Sequence, residues 1–138
     1  MPGGVVLHMT LPELQQAQPA LKRVPRPARL AGGLVGSWSS PAIDVAGVAL
    51  TPTYFFADGQ MQRVEYLARE GNAATYSALL AWARQSWGAE LAAADAGGAY
   101  ASWATGDTDA YLQLAGTPSG GQVRLVVRQR VLKDASEL

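Results

Sequence analysis

The sequence predicts an α+β two-layer sandwich, a mainly antiparallel sheet of about six strands with two helices on one face, built from two helix-strand-strand-strand repeats. Three observations lead there. Ala31-Gly32-Gly33-Leu34-Val35-Gly36-Ser37-Trp38 returns sixty-five residues later as Ala96-Gly97-Gly98-Ala99-Tyr100-Ala101-Ser102-Trp103, and the same offset carries Thr10 and Leu14 onto Thr75 and Leu79. That marks two units, about 5–70 and 71–132, inside a single domain of residues 1–138. Two segments carry apolar residues at spacings of three and four, which is the helical period. The remaining apolar stretches alternate and are separated by short turns, and short turns join antiparallel strands.

The elements follow in order. Thr10-Leu11-Pro12-Glu13 is a helix start: the threonine side chain accepts the third residue's N–H, Glu13 reaches back, and proline is tolerated in the first turn. Leu11, Leu14, Ala17 and Leu21 share a face, and Pro19 ends the helix. Val24-Pro25-Arg26-Pro27-Ala28-Arg29 reads as an extended arm, because each proline restricts the residue before it. Gly32-Gly33 opens a strand running to Trp38, Ser39-Ser40-Pro41 turns, and a β-rich stretch covers Ile43 to Ala57, bent at Thr51-Pro52. Asp58-Gly59 then makes a hairpin with Met61 to Arg69, since both residues tolerate the positive φ that a two-residue turn requires. The second helix spans Thr75 to Trp87, with Tyr76, Leu79, Leu80, Ala83 and Trp87 on one face, Trp82 on its flank, and Gly88 as C-cap. After an alanine-rich connection, Ala99–Trp103, Asp107–Ala115 and Gln122–Val131 are strands, the last two joined around Pro118-Ser119-Gly120-Gly121.

Composition narrows the functional classes. The chain has 138 residues, enough to bury roughly two thirds of its unfolded surface in one core. With 49% hydrophobic and 16% charged residues it is a globular domain, and eleven basic residues balance eleven acidic ones, so no global field draws it to nucleic acid or an anionic membrane. There is no cysteine, which removes disulfides, thiol nucleophiles and zinc-thiolate sites together. No apolar run approaches the ~20 residues of a membrane span. Met1-Pro2-Gly3-Gly4-Val5 lacks the charged start and apolar centre of a signal peptide, so cytosolic and exported origins both stay open.

Alternation assigns the faces of the sheet. In the last strand Val123, Leu125, Val127 and Val131 share one side, and Arg124, Arg128 and Arg130 the other. In its neighbour Ala110, Leu112 and Leu114 point to the core, which leaves Asp109, Tyr111 and Gln113 beside those arginines. Arg63, Glu65 and Arg69 project the same way if Val64 and Tyr66 pack inward. Tyrosine and arginine are enriched among interface hot spots, so Tyr111, Gln113, Arg124, Arg128 and Arg130 are the candidate binding residues. Such a face also serves merely to meet water, the arginine stems covering apolar surface. Trp38 and Trp103 are read as packing residues at equivalent places of the repeat.

Chemistry is sparse. His8 is the only histidine, which excludes triads and multi-histidine metal sites within one chain, and it reads as a surface or strand-edge residue. Asp107 and Asp109 lie on one side of a strand and Asp44 aligns with Asp109 in the repeat, but Gly106-Asp107 is ordinary turn chemistry with no calcium-type loop around it. The glycine pairs open strands rather than helices and are not phosphate loops. Lys22, Arg23, Arg26 and Arg29 are four charges without interleaved aromatics, a solvated linker rather than a nucleic-acid grip. No catalytic residue, metal or cofactor is expected.

Three stretches carry a family resemblance. Val5-Val6-Leu7-His8-Met9-Thr10-Leu11-Pro12-Glu13-Leu14 is similar to an opening in which a hydrophobic strand leads through Gly-Met-Ser/Thr into a helix, with His8 in place of the usual glycine. Phe55-Phe56-Ala57-Asp58-Gly59-Gln60-Met61-Gln62-Arg63-Val64 is similar to a Phe-x-Asp/Asn-Gly-x-Leu hairpin, and Tyr76 to Gly88 to a second helix ending in aromatic-Gly. Together they resemble the β-lactamase-inhibitory-protein-like fold, which small outer-membrane assembly lipoproteins also have. The resemblance implies a non-catalytic envelope or secreted protein that binds other proteins through its open sheet face, and it supplies no catalytic residues. The given sequence has no lipobox cysteine, so it does not demonstrate lipidation, and a lipoprotein stays among the readings. The expectation is therefore a non-enzymatic, protein-binding module of the bacterial envelope or periplasm, with no nucleic-acid partner and no membrane insertion. A second copy of the chain, meeting through Trp82, is a further possible partner. The alternatives are a small-ligand carrier with a pocket between helices and sheet lined by Tyr54, Phe56, Trp82 and Trp103, and a hydrolase using Asp107 and Asp109.

Overall fold

The structure, a computed structural model, describes residues 1–94, 99–116 and 121–130. Helix α1, Leu11–Ala17, begins where Thr10 predicts. The threonine Oγ1 accepts the Glu13 N–H at 3.4 Å, and the Glu13 carboxylate accepts the Thr10 N–H at 3.0 Å. That backbone hydrogen bond holds the Glu13 carboxyl below its ordinary range. The helix stops ahead of Pro19, with Gln18 as its C-cap.

Residues 24–29, expected as an extended arm, belong instead to a paired edge strand, β1, Lys22–Arg29, whose register slips between Arg23 and Ala28. Pro25 and Pro27 lie inside that slip, as residues without an N–H must on a strand edge. Strand β2, Val35–Ser39, follows a 3-10 turn at Ala31–Gly33. The long β-rich stretch divides into β3, Ile43–Val45, and β4, Val48–Ala57. No bend interrupts β4 at Thr51-Pro52, because Pro52 stays in register opposite Tyr66. Strand β5, Gln60–Ala68, returns through Asp58 (φ 53°) and Gly59 (φ 76°), the predicted two-residue turn.

Helix α2, Ala73–Trp87, starts three residues earlier than the repeat implies. Its N-cap is Asn72, whose Oδ1 accepts the Thr75 N–H at 2.9 Å. Thr75 is thus a buried residue of the first turn, and its correspondence with the capping Thr10 fails. Gly88 closes the helix with φ 83°. Strands β6, Ala92–Ala94, β7, Tyr100–Thr105, β8, Thr108–Ala115, and β9, Gln122–Gln129, follow it. The repeat's Ala96, Gly97 and Gly98, the Pro118-Ser119-Gly120 turn and Val131 lie outside the described residues.

Among the described residues the strands form one antiparallel sheet of nine rather than about six, in the order β1-β2-β4-β5-β9-β8-β7-β6, with β3 paired to β4. Of the additional strands, one holds two prolines and one is three alanines, compositions that propensity discounts, and the third, β3, is parted from β4 within the β-rich stretch by the positive-φ turn Ala46-Gly47. Register places Trp38, Tyr54, Val64, Val127, Ala110 and Trp103 in a single cross-strand row. This inner face buries one apolar cluster that also holds Leu14 of α1 and Tyr76, Leu79 and Ala83 of α2. The Tyr54 hydroxyl lies 2.9 Å from the Ser40 hydroxyl, and Tyr66 donates to the Pro2 carbonyl at 3.1 Å. Burial pushes both phenols above their ordinary range. Among the described residues no helix is long and apolar enough to cross a membrane.

Candidate functional site: the arginine and tyrosine face

The opposite, outer face of the same strands is organised in three further rows. Phe55, Arg63, Arg128 and Asp109 form one, Thr53, Glu65, Val126, Tyr111 and Ser102 the next, and Thr51, Leu67, Arg124, Gln113 and Tyr100 the third. All five residues that the sequence singles out come together here. Arg124 donates to the Gln113 side-chain carbonyl at 3.3 Å, and the Arg128 guanidinium sits over the Tyr111 ring at 5.7 Å. Arg130 meets the Asp109 carboxylate at 2.9 Å.

Glu65 knits these side chains together. Its carboxylate takes Arg63 at 2.8 Å on one oxygen and Arg124 at 3.5 Å on the other. Arg63 also donates to the Tyr111 hydroxyl at 3.1 Å and lies 5.9 Å over the Phe55 ring. Tyr111 in turn stands 6.1 Å from Tyr100. Beneath this polar layer Val126 is 0% and Phe55 2% exposed, although both point away from α2. Gly36 makes room for Phe55, since a Cβ there would fall 2.7 Å from the phenyl ring. The outer face is therefore a packed layer, with polar side chains doing what a helix does on the inner face.

Sequence reasoning placed the arginines and Tyr111 but missed the burial of Val126, Phe55 and Gly36. The signal was there: Leu125-Val126-Val127 interrupts the alternation, and three successive apolar residues in a strand require cover on both faces. Arg69, expected in the same set, lies beyond the end of β5 with its N–H on the Ala49 carbonyl at 3.0 Å, away from the network.

Beside Arg128 the layer opens into a cleft of about 450 Å3 between the outer arginines and the turn after β1. Leu30, Ala31 and Leu34 form its apolar side; Arg63, Arg128 and Arg130 form its basic side. Four arginines and two carboxylates, Glu65 and Asp109, leave this region net positive. Arg63, Arg124 and Arg130 each bond a carboxylate, whereas among the described residues Arg128 has no ion-pair partner.

The other candidates are dispersed. Asp109 is taken by Arg130, while Asp107 lies 3.4 Å from His8, so the two carboxylates serve separate contacts. Asp44 accepts the Gly47 N–H at 3.1 Å within its own turn. Of the four residues assigned to a carrier pocket, Trp103 lines an apolar cavity of about 330 Å3 and Trp82 a separate cleft. Tyr54 is fully buried, and neither it nor Phe56 borders those two spaces. Compared with protein-family models, curated proteins and solved structures, the chain finds no match in any of the three.

Proposed function

We propose that the chain is a non-catalytic protein-binding module of the bacterial envelope, and that it takes an acidic partner segment bearing an apolar anchor on the outer face. One observation carries this reading: Arg128, exposed and stacked on Tyr111, borders a cleft whose other wall is Leu30, Ala31 and Leu34. The neighbouring arginines are already engaged, so their network positions Arg128 and Tyr111 before any partner arrives. Such preorganisation lowers the entropy cost of association. The net positive charge favours acidic partners, and a tyrosine and arginine beside an apolar recess make the kind of anchor point that dominates binding energies. The envelope setting rests on the resemblance seen in the sequence.

For the duplicated fold, support comes from strand order. It runs β1-β2-β4-β5 from one edge and β6-β7-β8-β9 from the other, with β5 and β9 joined at the centre. The single core cluster that holds Leu14 and Leu79 supports both helices lying on one side.

A photo-crosslinking amino acid placed at Ala31, exposed on the apolar wall of the cleft, and separately at exposed Gln85 on α2, tests the docking surface in source cells with Arg128 left in place. The expected result is a discrete protein adduct from position 31 that position 85 does not give and that Arg128→Glu diminishes. Equal adducts from both positions, or none from position 31, would overturn the proposal.

A further inference from the structure

The inner face carries a second recess at the far end of the sheet, where the N-terminal segment, the end of α2 and strands β7 and β8 meet. Its interior is apolar, with Leu7, Trp87, Trp103, Ala110 and Val127 around a space of about 330 Å3 that opens to solvent. That volume is at the lower end of small-molecule sites. The walls are fixed. Trp103 donates its indole N–H to the Gly88 carbonyl at 2.9 Å and packs 5.7 Å from Trp87, which meets Trp82 edge-on at 5.2 Å. Between Val127 and Trp103 the cross-strand row offers only Ala110, and this small side chain leaves the space empty.

The mouth is unusual on two counts. Val6 keeps 58% of its surface exposed there. His8, also at the mouth, has φ 74°, a left-handed conformation that glycine adopts freely and other residues adopt at a cost. Two backbone hydrogen bonds impose it, from the His8 N–H to the Met61 carbonyl at 2.7 Å and from the Met61 N–H to the Met9 carbonyl at 2.8 Å. Non-glycine residues held in such conformations concentrate at binding and catalytic sites. Here the cost keeps an imidazole at the rim, 3.4 Å from Asp107, and Thr105 and Thr108 also line the recess.

We infer that this recess is a binding site for a small neutral molecule with a flat, apolar ring body and one hydrogen-bonding group. The body lies against Trp87 and Trp103, and the polar group meets His8 or a threonine hydroxyl at the mouth. Charge argues for neutrality. The interior offers no ionic partner, so an ion would lose its hydration without compensation, and at the rim His8 already faces a carboxylate.

N-phenyl-1-naphthylamine, a neutral probe whose naphthyl and phenyl groups are joined by a single N–H, tests the site by fluorescence titration and by its quenching of tryptophan emission. The wild-type chain is expected to bind it saturably at one site. Ala110→Leu, which fills the space, is expected to weaken binding at least tenfold. Val6→Asp alters only an exposed side chain at the mouth and is expected to weaken it severalfold even if the Ala110→Leu variant folds poorly. His8→Gly should melt no lower than wild type while binding the probe more weakly. Arg128→Ala should bind as wild type does, which separates this site from the outer face. Absence of saturable binding to the wild type, or undiminished binding by folded Ala110→Leu or Val6→Asp, would overturn the inference.

Discussion

Strands β8 and β9 bury apolar side chains on both faces and cover them by opposite means. On the inner side Leu112, Leu125 and Val127 are covered by apolar side chains of the helices and neighbouring strands. On the outer side Val126 is equally buried, under Tyr111 and the arginine and glutamate network around it. The difference separates two jobs. Apolar cover contributes stability, whereas polar cover costs side-chain entropy and desolvation for a smaller net gain, and leaves a charged, patterned exterior. Under the proposed function, a surface built in the second way serves contact as well as folding.

Substitutions should therefore weigh differently on the two faces. Trp103→Ala removes a buried indole and its bond to Gly88, and is expected to lower the stability to chemical denaturation by ~3–5 kcal/mol. Alkaline pH should also act through the inner face. Burial raises the phenols of Tyr54 and Tyr66 above the ordinary value of 10.0. The folded state thus retains protons that the unfolded chain releases, so their contribution is complete below pH 10 and is lost as pH rises beyond it. Tyrosinate absorbance from these two residues should appear only with unfolding; early ionisation of both in the folded protein would show that they are not sealed.

On the outer face the effects should be smaller. Val126→Ala is expected to cost ~1–3 kcal/mol in the same denaturation assay, the signature of a buried valine. Loss of less than that range would show the polar layer to be loose. Glu65→Ala strips Arg63 and Arg124 of their shared carboxylate and should cost ~1–2 kcal/mol. Because the pairs are half-buried, high salt should narrow the difference between this variant and the wild type. Arg128→Ala, which breaks no ion pair, should leave stability within ~0.5 kcal/mol.

Much of this contrast is legible in the sequence because alternation is a direct record of facing. Val123, Leu125 and Val127 against Arg124 and Arg128 fall as the period of two demands, and the Asp58-Gly59 hairpin forms because its two residues accept positive φ. What escaped was non-local. Asn72 rather than Thr75 caps α2, since several residues near a helix start can cap and the repeat pointed to the wrong one. Strands β1 and β6 lack the composition of strands and are stabilised by their neighbours' backbones, and β3 is parted from β4 by a tight turn at Ala46-Gly47 inside one β-rich stretch. The Glu65 network joins residues as far apart as 65 and 124, a meeting decided by strand order alone. Trp38 and Trp103 share a row, yet only Trp103 is sealed, by the end of the fifteen-residue α2; Trp38 is half-buried beneath Arg23 at 5.1 Å.

The central claim is that the outer face binds through Arg128 while its neighbours hold the layer together. The most direct measurement is the affinity of the protein crosslinked at position 31 for the wild-type chain and for Arg128→Glu, with melting of both followed in parallel. The account predicts a dissociation constant raised at least tenfold with an unchanged melting temperature. Equal affinity for the two chains would contradict it.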